Sequence, residues 1–110
     1  MTTIEIPEAI QTFIDATNRS DSEAFAAAFT DDAYLNDWGR EYRGRDGVRD
    51  WDRTDNIGVR AHFTLLGITA GPDPNSYVAT LKVTGGGYNG TGPLTFHLRD
   101  GLIARVKISG

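Results

Sequence analysis

The sequence has no cysteine, only two histidines and fewer basic than acidic residues. The lack of cysteine excludes disulfide bonds, thiol nucleophiles and thiolate metal sites. Two histidines without any ligand spacing are a weak metal signal, so we predict no metal site. A net charge of -4 argues against nucleic acid as a partner, because nucleic-acid binding needs a basic face.

Long apolar runs are also missing. No stretch approaches the ~20 apolar residues of a membrane-spanning helix, so we predict no membrane partner. The N-terminal sequence MTTIEIPEAI has neither the basic region nor the apolar region of a secretion signal, and we expect a cytoplasmic protein. The 110 residues, 39% of them hydrophobic, suit one globular domain, which we predict to span residues 1–110.

The first half of the chain has helical periodicity. Pro7 suits the first turn of a helix, and residues Ile10 to Thr17 place apolar side chains at the spacing of one helix face. We predict that this helix ends near Asn18.

A second helix is predicted from a capping-box pattern, Ser20 followed by Glu23. Phe25 and Phe29 would share one face of it, and residues 30–32 would end it. A short strand is then predicted over residues 33–37, with a returning strand over residues 41–43.

A third helix is predicted over residues 46–55. Val48, Trp51 and either Asp52 or Asp55 would share its inner face.

The second half has the alternating pattern of strands, and turn sequences divide it. We predict strands over residues 59–70, 77–84, 93–99 and 102–109. Helices followed by an antiparallel meander indicate an α+β fold. His62, Thr64, Leu66, Thr95 and His97 fall on the sheet face away from the predicted core. That mixed polar and apolar face suits a partner, and we expect a homodimer.

Four segments together resemble the NTF2-like superfamily, in particular its SnoaL-like branch: residues 10–18, 29–33, 42–49 and 96–103. The resemblance covers nearly the whole chain. It implies a cone in which three N-terminal helices pack on a curved, mostly antiparallel sheet, with an apolar pocket inside and a homodimer contact on the outer sheet face. Members include ketosteroid isomerases, polyketide cyclases, dehydratases, epoxide hydrolases and non-catalytic binding proteins, so the fold does not specify one function.

Asp37 matches the position of the general-base aspartate of the ketosteroid isomerases. The resemblance implies that its carboxylate moves a proton between two carbons of an enolisable substrate. The alternative is local, because aspartate commonly caps turns, and Asp37 precedes a predicted turn at Trp38 and Gly39.

The oxyanion-binding residues of the steroid isomerases are not matched. Phe13 stands where those enzymes have a tyrosine, and Leu94, or Thr95 with a one-residue slip, stands where they have a protonated acid. Because such donors contribute several kcal/mol to catalysis, steroid isomerisation of that type is not expected. Replacement donors are sought among Tyr88, Asn56, Trp51 and Trp38.

The predicted ligand pocket is mainly aromatic. Its predicted lining residues are Phe13, Trp38, Trp51, Asp55, Phe63, Tyr88 and Phe96. Trp51 has a second interpretation as a core residue only. His62 and His97 would reach the pocket only after a register slip.

Two functions follow from these residues. The first is a cofactor-independent proton-transfer enzyme, similar to an isomerase, cyclase or dehydratase, which acts on a small apolar molecule through Asp37. The second is a non-catalytic binding or accessory domain. Its pocket would either bind a ligand without catalysing a reaction or be filled by phenylalanines.

Overall fold

The computed structural model describes residues 5–109. Within these residues there are three α-helices: α1 (Glu8–Asn18), α2 (Ser22–Ala27) and α3 (Gly44–Asp55). A short 3-10 helix (Ile57–Val59) follows α3. The described part of the chain also forms six strands: β1 (Phe29–Asp37), β2 (Arg40–Arg43), β3 (His62–Ala70), β4 (Ser76–Thr84), β5 (Gly90–Arg99) and β6 (Leu102–Ile108).

The strands form one sheet in the order β2-β1-β6-β5-β4-β3. Neighbouring strands are antiparallel except β1 and β6, which run parallel. The predicted α+β architecture, three helices with a curved and mostly antiparallel sheet, is confirmed.

The core lies between the helices and the sheet and is centred on Phe13. Its ring has no exposed surface, and its centroid lies 5.0–6.4 Å from five aromatic rings contributed by α2, α3 and three strands. These rings belong to Phe25, Phe29, Trp51, Phe63 and Phe96. Tilted, offset and edge-on aromatic contacts add to the apolar burial that stabilises such a core.

The end of α1 is fastened to β3 by one side chain. Asn18 donates from Nδ2 to the carbonyl oxygen of Phe63, at 2.9 Å, and accepts from the Phe63 amide at Oδ1, at 2.7 Å. Both backbone groups of Phe63 that face α1 are therefore paired. This contact fixes the position of β3 relative to α1.

The second helix differs from its prediction at both ends. Ser20 has a left-handed φ of 58° and is not the cap, and the side chain of Asp21 accepts the amide of Ala24 instead, at 3.1 Å. Phe29 is not helical, because α2 ends at Ala27 and Phe29 begins β1. It still contacts Phe25 at a centroid distance of 5.3 Å.

The strand predicted from residue 59 begins later, at His62. The 3-10 helix takes up residues Ile57–Val59, and Arg60 then adopts a left-handed φ of 56°. Ala61 and Phe63 are buried and His62 is exposed, as the alternation predicts. No helix in the described part of the chain has the length and apolar character to cross a bilayer.

Candidate functional site

The hairpin between β1 and β2 fixes the position of Asp37, the last residue of β1. Trp38 and Gly39 form its two-residue turn, with φ values of 54° and 93°, as such tight hairpin turns require. The side chain that caps this turn is Asn36, whose Oδ1 accepts the Gly39 amide at 2.9 Å. The local capping role therefore belongs to Asn36, which leaves the carboxylate of Asp37 for other contacts.

Two donors hold one oxygen of the Asp37 carboxylate. Oδ2 accepts from Nη2 of Arg40 at 2.6 Å and from the indole Nε1 of Trp51 at 3.0 Å. The side chain is only 13% exposed, so these charge-assisted bonds act in a partly desolvated place. They fix the orientation of the carboxylate and leave Oδ1 as its second acceptor.

Arg40 bridges two carboxylates. Its Nη2 also lies 3.1 Å from Oδ1 of Asp55, the last residue of α3. The hydrogen bond to Asp55, with the charges of Asp37 and Asp55 adding to it, raises the pKa of Arg40. Arg40 is therefore a fixed cation, and the two carboxylates and one guanidinium leave an excess of one negative charge.

A cavity of about 220 Å³ opens beside this group. Its polar lining comes from Asp37, Arg40, Thr54, Asp55, Asn56 and Ser109. Its apolar and aromatic lining comes from Trp38, Trp51, Val59, Phe63, Val83, Tyr88, Leu94 and Ile108, with Gly87 and Gly92. An apolar cavity of roughly 150 Å³ can hold benzene, so this one has room for a somewhat larger molecule.

The cavity has an exposed and a buried side. Trp38 and Tyr88 are 64% and 60% exposed, and Arg40 lies with them at the open side. Phe63, Leu94, Trp51 and Asn56 are buried and form the inner wall. The charged group is therefore at the mouth, and the wall behind it is largely apolar.

Asp52 lies behind the inner wall and does not line the cavity. Its side chain accepts from Nδ2 of Asn56 at 3.0 Å and from the amide of Ile57 at 3.4 Å. Burial raises the pKa of Asp52, although these hydrogen bonds oppose the shift. The open question of the inner face of α3 is thus resolved: Asp52 faces the core and Asp55 faces the cavity.

Six of the predicted site residues come together at this cavity: Asp37, Trp38, Trp51, Asp55, Phe63 and Tyr88. Phe13 and Phe96 do not line it, because both are fully buried in the aromatic core. Trp51 satisfies both of its interpretations. Its ring stacks on Phe13 and Phe25, while its N–H reaches Asp37.

Sequence reasoning did not predict the ion pairs of Arg40 with Asp37 and Asp55. The sequence did contain a signal for the contact between Arg40 and Asp37. In a two-residue hairpin the residues on either side of the turn are paired, as Asp37 and Arg40 are here, and opposite charges at paired positions attract. The contact with Asp55 depends on the packing of α3 and had no such signal.

The steroid-isomerase donors have no equivalent here. Phe13 lies in the core, Leu94 lines the cavity with an apolar side chain, and Thr95 is half-buried without reaching the cavity. Of the donors considered in their place, Trp51 is bonded to Asp37. Tyr88 and Trp38 stand at the open side, and the Tyr88 hydroxyl lies over Gly90.

Neither histidine lines the cavity. His62 is exposed, and His97 lies 3.3 Å from the carboxylate of Asp73 at the surface. Within residues 5–109 no three His, Cys, Asp or Glu side chains are grouped closely enough to hold a metal ion.

The family model for the SnoaL-like domain matches residues 10–106. The chain belongs to the SnoaL-like family. The predicted resemblance to this branch of the NTF2-like superfamily is confirmed. No curated protein matches the chain significantly.

Solved structures share the fold of this SnoaL-like chain at low identity. A candidate polyketide cyclase from Sinorhizobium meliloti is 24% identical with a TM-score of 0.85, and the match covers 99% of this chain and 100% of that one. A Mycobacterium tuberculosis protein in complex with estradiol-17beta-hemisuccinate is 20% identical with a TM-score of 0.81 over 93% and 90% of the two chains. The Delta 5-3-ketosteroid isomerase from Mycobacterium sp. is 20% identical with a TM-score of 0.78 over 93% and 89%.

Proposed function

We propose that this SnoaL-like domain binds a small, neutral, largely apolar molecule and that Asp37 accepts and returns a proton on it without a cofactor. The observation that carries the proposal is the carboxylate of Asp37, which lines an apolar cavity while Trp51 and Arg40 fix one of its oxygens. A general base must be positioned within hydrogen-bond reach of the proton it takes. The other oxygen, Oδ1, is the one available for that contact.

The charged side chains at the mouth bear on the charge of the ligand. Arg40 lies beside Asp37, with its Nη2 2.6 Å from Oδ2 of the carboxylate. The guanidinium divides its charge between Asp37 and Asp55, so it does not neutralise the pair. The remaining negative charge disfavours an anionic ligand and is compatible with a neutral one.

The volume of the cavity limits the size of the ligand. A volume of about 220 Å³, compared with the roughly 150 Å³ that accepts benzene, suits one or two fused rings. Larger molecules would extend past Trp38 and Tyr88 at the open side. Enolisable bicyclic ketones are therefore suitable test compounds, since their α-protons can be removed by a carboxylate.

Two of the similar structures support an apolar ligand by their names alone: one holds estradiol-17beta-hemisuccinate and another is a ketosteroid isomerase. At 20% identity these likenesses carry the fold and not the reaction. The proposal for this chain rests on its own Asp37 and cavity.

The test is α-proton exchange of 2-tetralone in D2O, followed by NMR in the presence of wild type, Asp37→Asn or Asp50→Asn. We expect wild type to accelerate deuterium incorporation above the buffer rate. General-base catalysis contributes about 10²–10⁴-fold, so Asp37→Asn should lose at least about 100-fold of that acceleration.

Asp50→Asn is the matched control, because it is the same chemical change at an exposed acid of α3 that pairs with Arg53. This variant should accelerate deuterium incorporation into 2-tetralone as much as wild type does. Equal acceleration by Asp37→Asn, with unchanged melting temperature, would refute the role of Asp37.

A non-catalytic binding domain is the second candidate. It is favoured by Phe13 and Leu94, which offer no hydrogen-bond donor where an oxyanion would need one. If ligands raise the melting temperature but no tested ketone exchanges deuterium faster than in buffer, the protein is a binding domain without this catalytic activity.

The homodimer is also proposed. Leu66 on β3 is 56% exposed, and a large exposed apolar side chain on a sheet face suits a partner surface. Sedimentation should then give twice the 12.0 kDa chain mass, and Leu66→Lys should shift it toward the monomer. A cytoplasmic location stays a prediction from the sequence.

A further inference from the structure

The side chains on the inner face of β5 change along the strand. Successive residues of a strand point to opposite faces of the sheet, and the inward positions here are Gly90, Gly92, Leu94 and Phe96. Leu94 and Phe96 are buried. Gly92 and Leu94 line the cavity, and Gly90 pairs with Val83, which also lines it. The strand therefore has large side chains toward the core and two bare positions toward the open side of the cavity.

The space in front of Gly90 is taken by Tyr88. A Cβ atom at Gly90 would lie 2.8 Å from Cζ of Tyr88, well inside the roughly 3.5–4.0 Å of a normal contact between carbon atoms. The phenol ring of Tyr88 thus lies over the backbone of Gly90. The bare position at Gly90 is therefore filled by another side chain.

The space in front of Gly92 is not filled in this way. Apart from its chain neighbours, the described residues offer a Cβ atom at Gly92 one contact, the carbonyl oxygen of Ser109 at 3.3 Å. The backbone does not require glycine, since Gly92 is not among the left-handed glycines of residues 5–109. Glycine inside a strand weakens it and often marks a place where a ligand approaches closely. The open space in front of Gly92 therefore points to a role in the cavity.

We propose that Gly92 is the specificity-determining residue for ligand size, because the second ring of a two-ring ligand packs against its bare backbone. This inference rests on the proposed ligand cavity and deepens it, since it names the position that admits a two-ring molecule. A ligand with one ring reaches the carboxylate of Asp37 without using the space at Gly92.

The test is Gly92→Val, which adds three carbon atoms on the cavity side of β5. Valine is favoured in strands, so the fold should persist, and thermal unfolding checks it. The dissociation constants of 2-tetralone, with two rings, and of cyclohexanone, with one, are measured by NMR titration. The affinity for 2-tetralone should fall at least about 10-fold, the effect of one misfitted methylene group in an apolar pocket. The affinity for cyclohexanone should stay at the wild-type value.

Gly67→Val is the matched control, because it is the same chemical change on another strand. Gly67 is exposed on β3 and does not line the cavity. Its chain neighbours aside, a Cβ atom there would have no described atom within 4 Å. Both ketones should bind this variant as they bind wild type.

A second measurement needs no variant and decides the question even if Gly92→Val fails to fold. In wild type saturated with 2-tetralone, the Hα protons of Gly92 should show a nuclear Overhauser effect to the aromatic-ring protons of the ketone. Such an effect requires the second ring to lie against this part of the backbone.

The outcomes separate this inference from the function on which it rests. Unchanged affinity of folded Gly92→Val for 2-tetralone, an equal loss for both ketones, or no Overhauser effect in the wild-type complex overturns the role of Gly92 and leaves the cavity as a ligand site. If the predicted loss and contact are observed but 2-tetralone does not exchange deuterium faster than in buffer, the role of Asp37 fails and that of Gly92 stands. Binding of neither ketone to wild type overturns both.

Discussion

The aromatic core and the mouth of the cavity are adjacent and differ in almost every property. Around Phe13 the rings are fully buried, in contact with one another and uncharged. At the mouth Trp38 is exposed, Arg40 bridges two carboxylates, and the backbone of Trp38 is left-handed. The core satisfies the general rules of packing, whereas the mouth departs from them.

The core provides the apolar burial that stabilises the fold, whereas the mouth carries the groups on which the proposed function depends. Trp51 connects the two regions, since its ring belongs to the core and its N–H holds Asp37. The carboxylate is thereby anchored to the buried aromatic core.

The largest expected effect is on stability, at the core. Phe13→Ala should lower the free energy of unfolding by about 4 kcal/mol, because it leaves a cavity among packed aromatic rings. Urea denaturation measures the change. The control Arg53→Ala, at an exposed position of α3, should change stability by less than about 0.5 kcal/mol. A similar loss from both variants would contradict the contrast between the regions.

A smaller effect of opposite sign is expected at the mouth. Trp38→Asn should stabilise the protein by about 1 kcal/mol, since asparagine tolerates the left-handed φ and Asn-Gly is the preferred hairpin turn. It should also weaken binding of apolar ligands, because an aromatic wall of the cavity is removed. Thermal unfolding and titration with 2-naphthol measure the two quantities, and a destabilised variant with unchanged affinity would show that Trp38 is only structural.

The smallest expected effect is a change of stability with pH. It is caused by Asp52, which lies behind the inner wall of the cavity. Burial raises the pKa of Asp52 above its ordinary value of 3.8, so the folded protein holds this proton more tightly than the unfolded chain. The stabilising contribution is complete below 3.8 and is lost as pH rises through the folded-state pKa. The stability of wild type minus that of Asp52→Asn, measured in urea, should therefore fall with rising pH over this interval. A difference that rises with pH would contradict the burial of Asp52 as its dominant influence.

Much of this fold could be predicted from periodicity. The alternation in β3 and the spacing in α1 are local signals, and both appear in the structure as expected. Phe29 was misassigned because its spacing from Phe25 fits a helix, while its environment is fixed by pairing with Ile103 of β6. Pairing between distant segments overrides local pattern, and a single sequence does not display it.

The site was predictable in part for the same reason. Asp37, Trp38, Trp51 and Tyr88 could be placed at the cavity, since the resemblance or an aromatic type identified them. The ion pair between Arg40 and Asp55 could not, because it depends on how α3 packs against the hairpin of β1 and β2.

The most direct test of the cavity uses the two tryptophans, which are the only ones in the chain and both line it. Their indole N–H groups give two separate signals in a 1H-15N correlation spectrum. Titration with 2-tetralone should move both signals, and the Trp51 signal should also report the hydrogen bond to Asp37. Two unmoved indole signals, with any changes confined to the outer sheet face, would contradict a ligand site at this cavity.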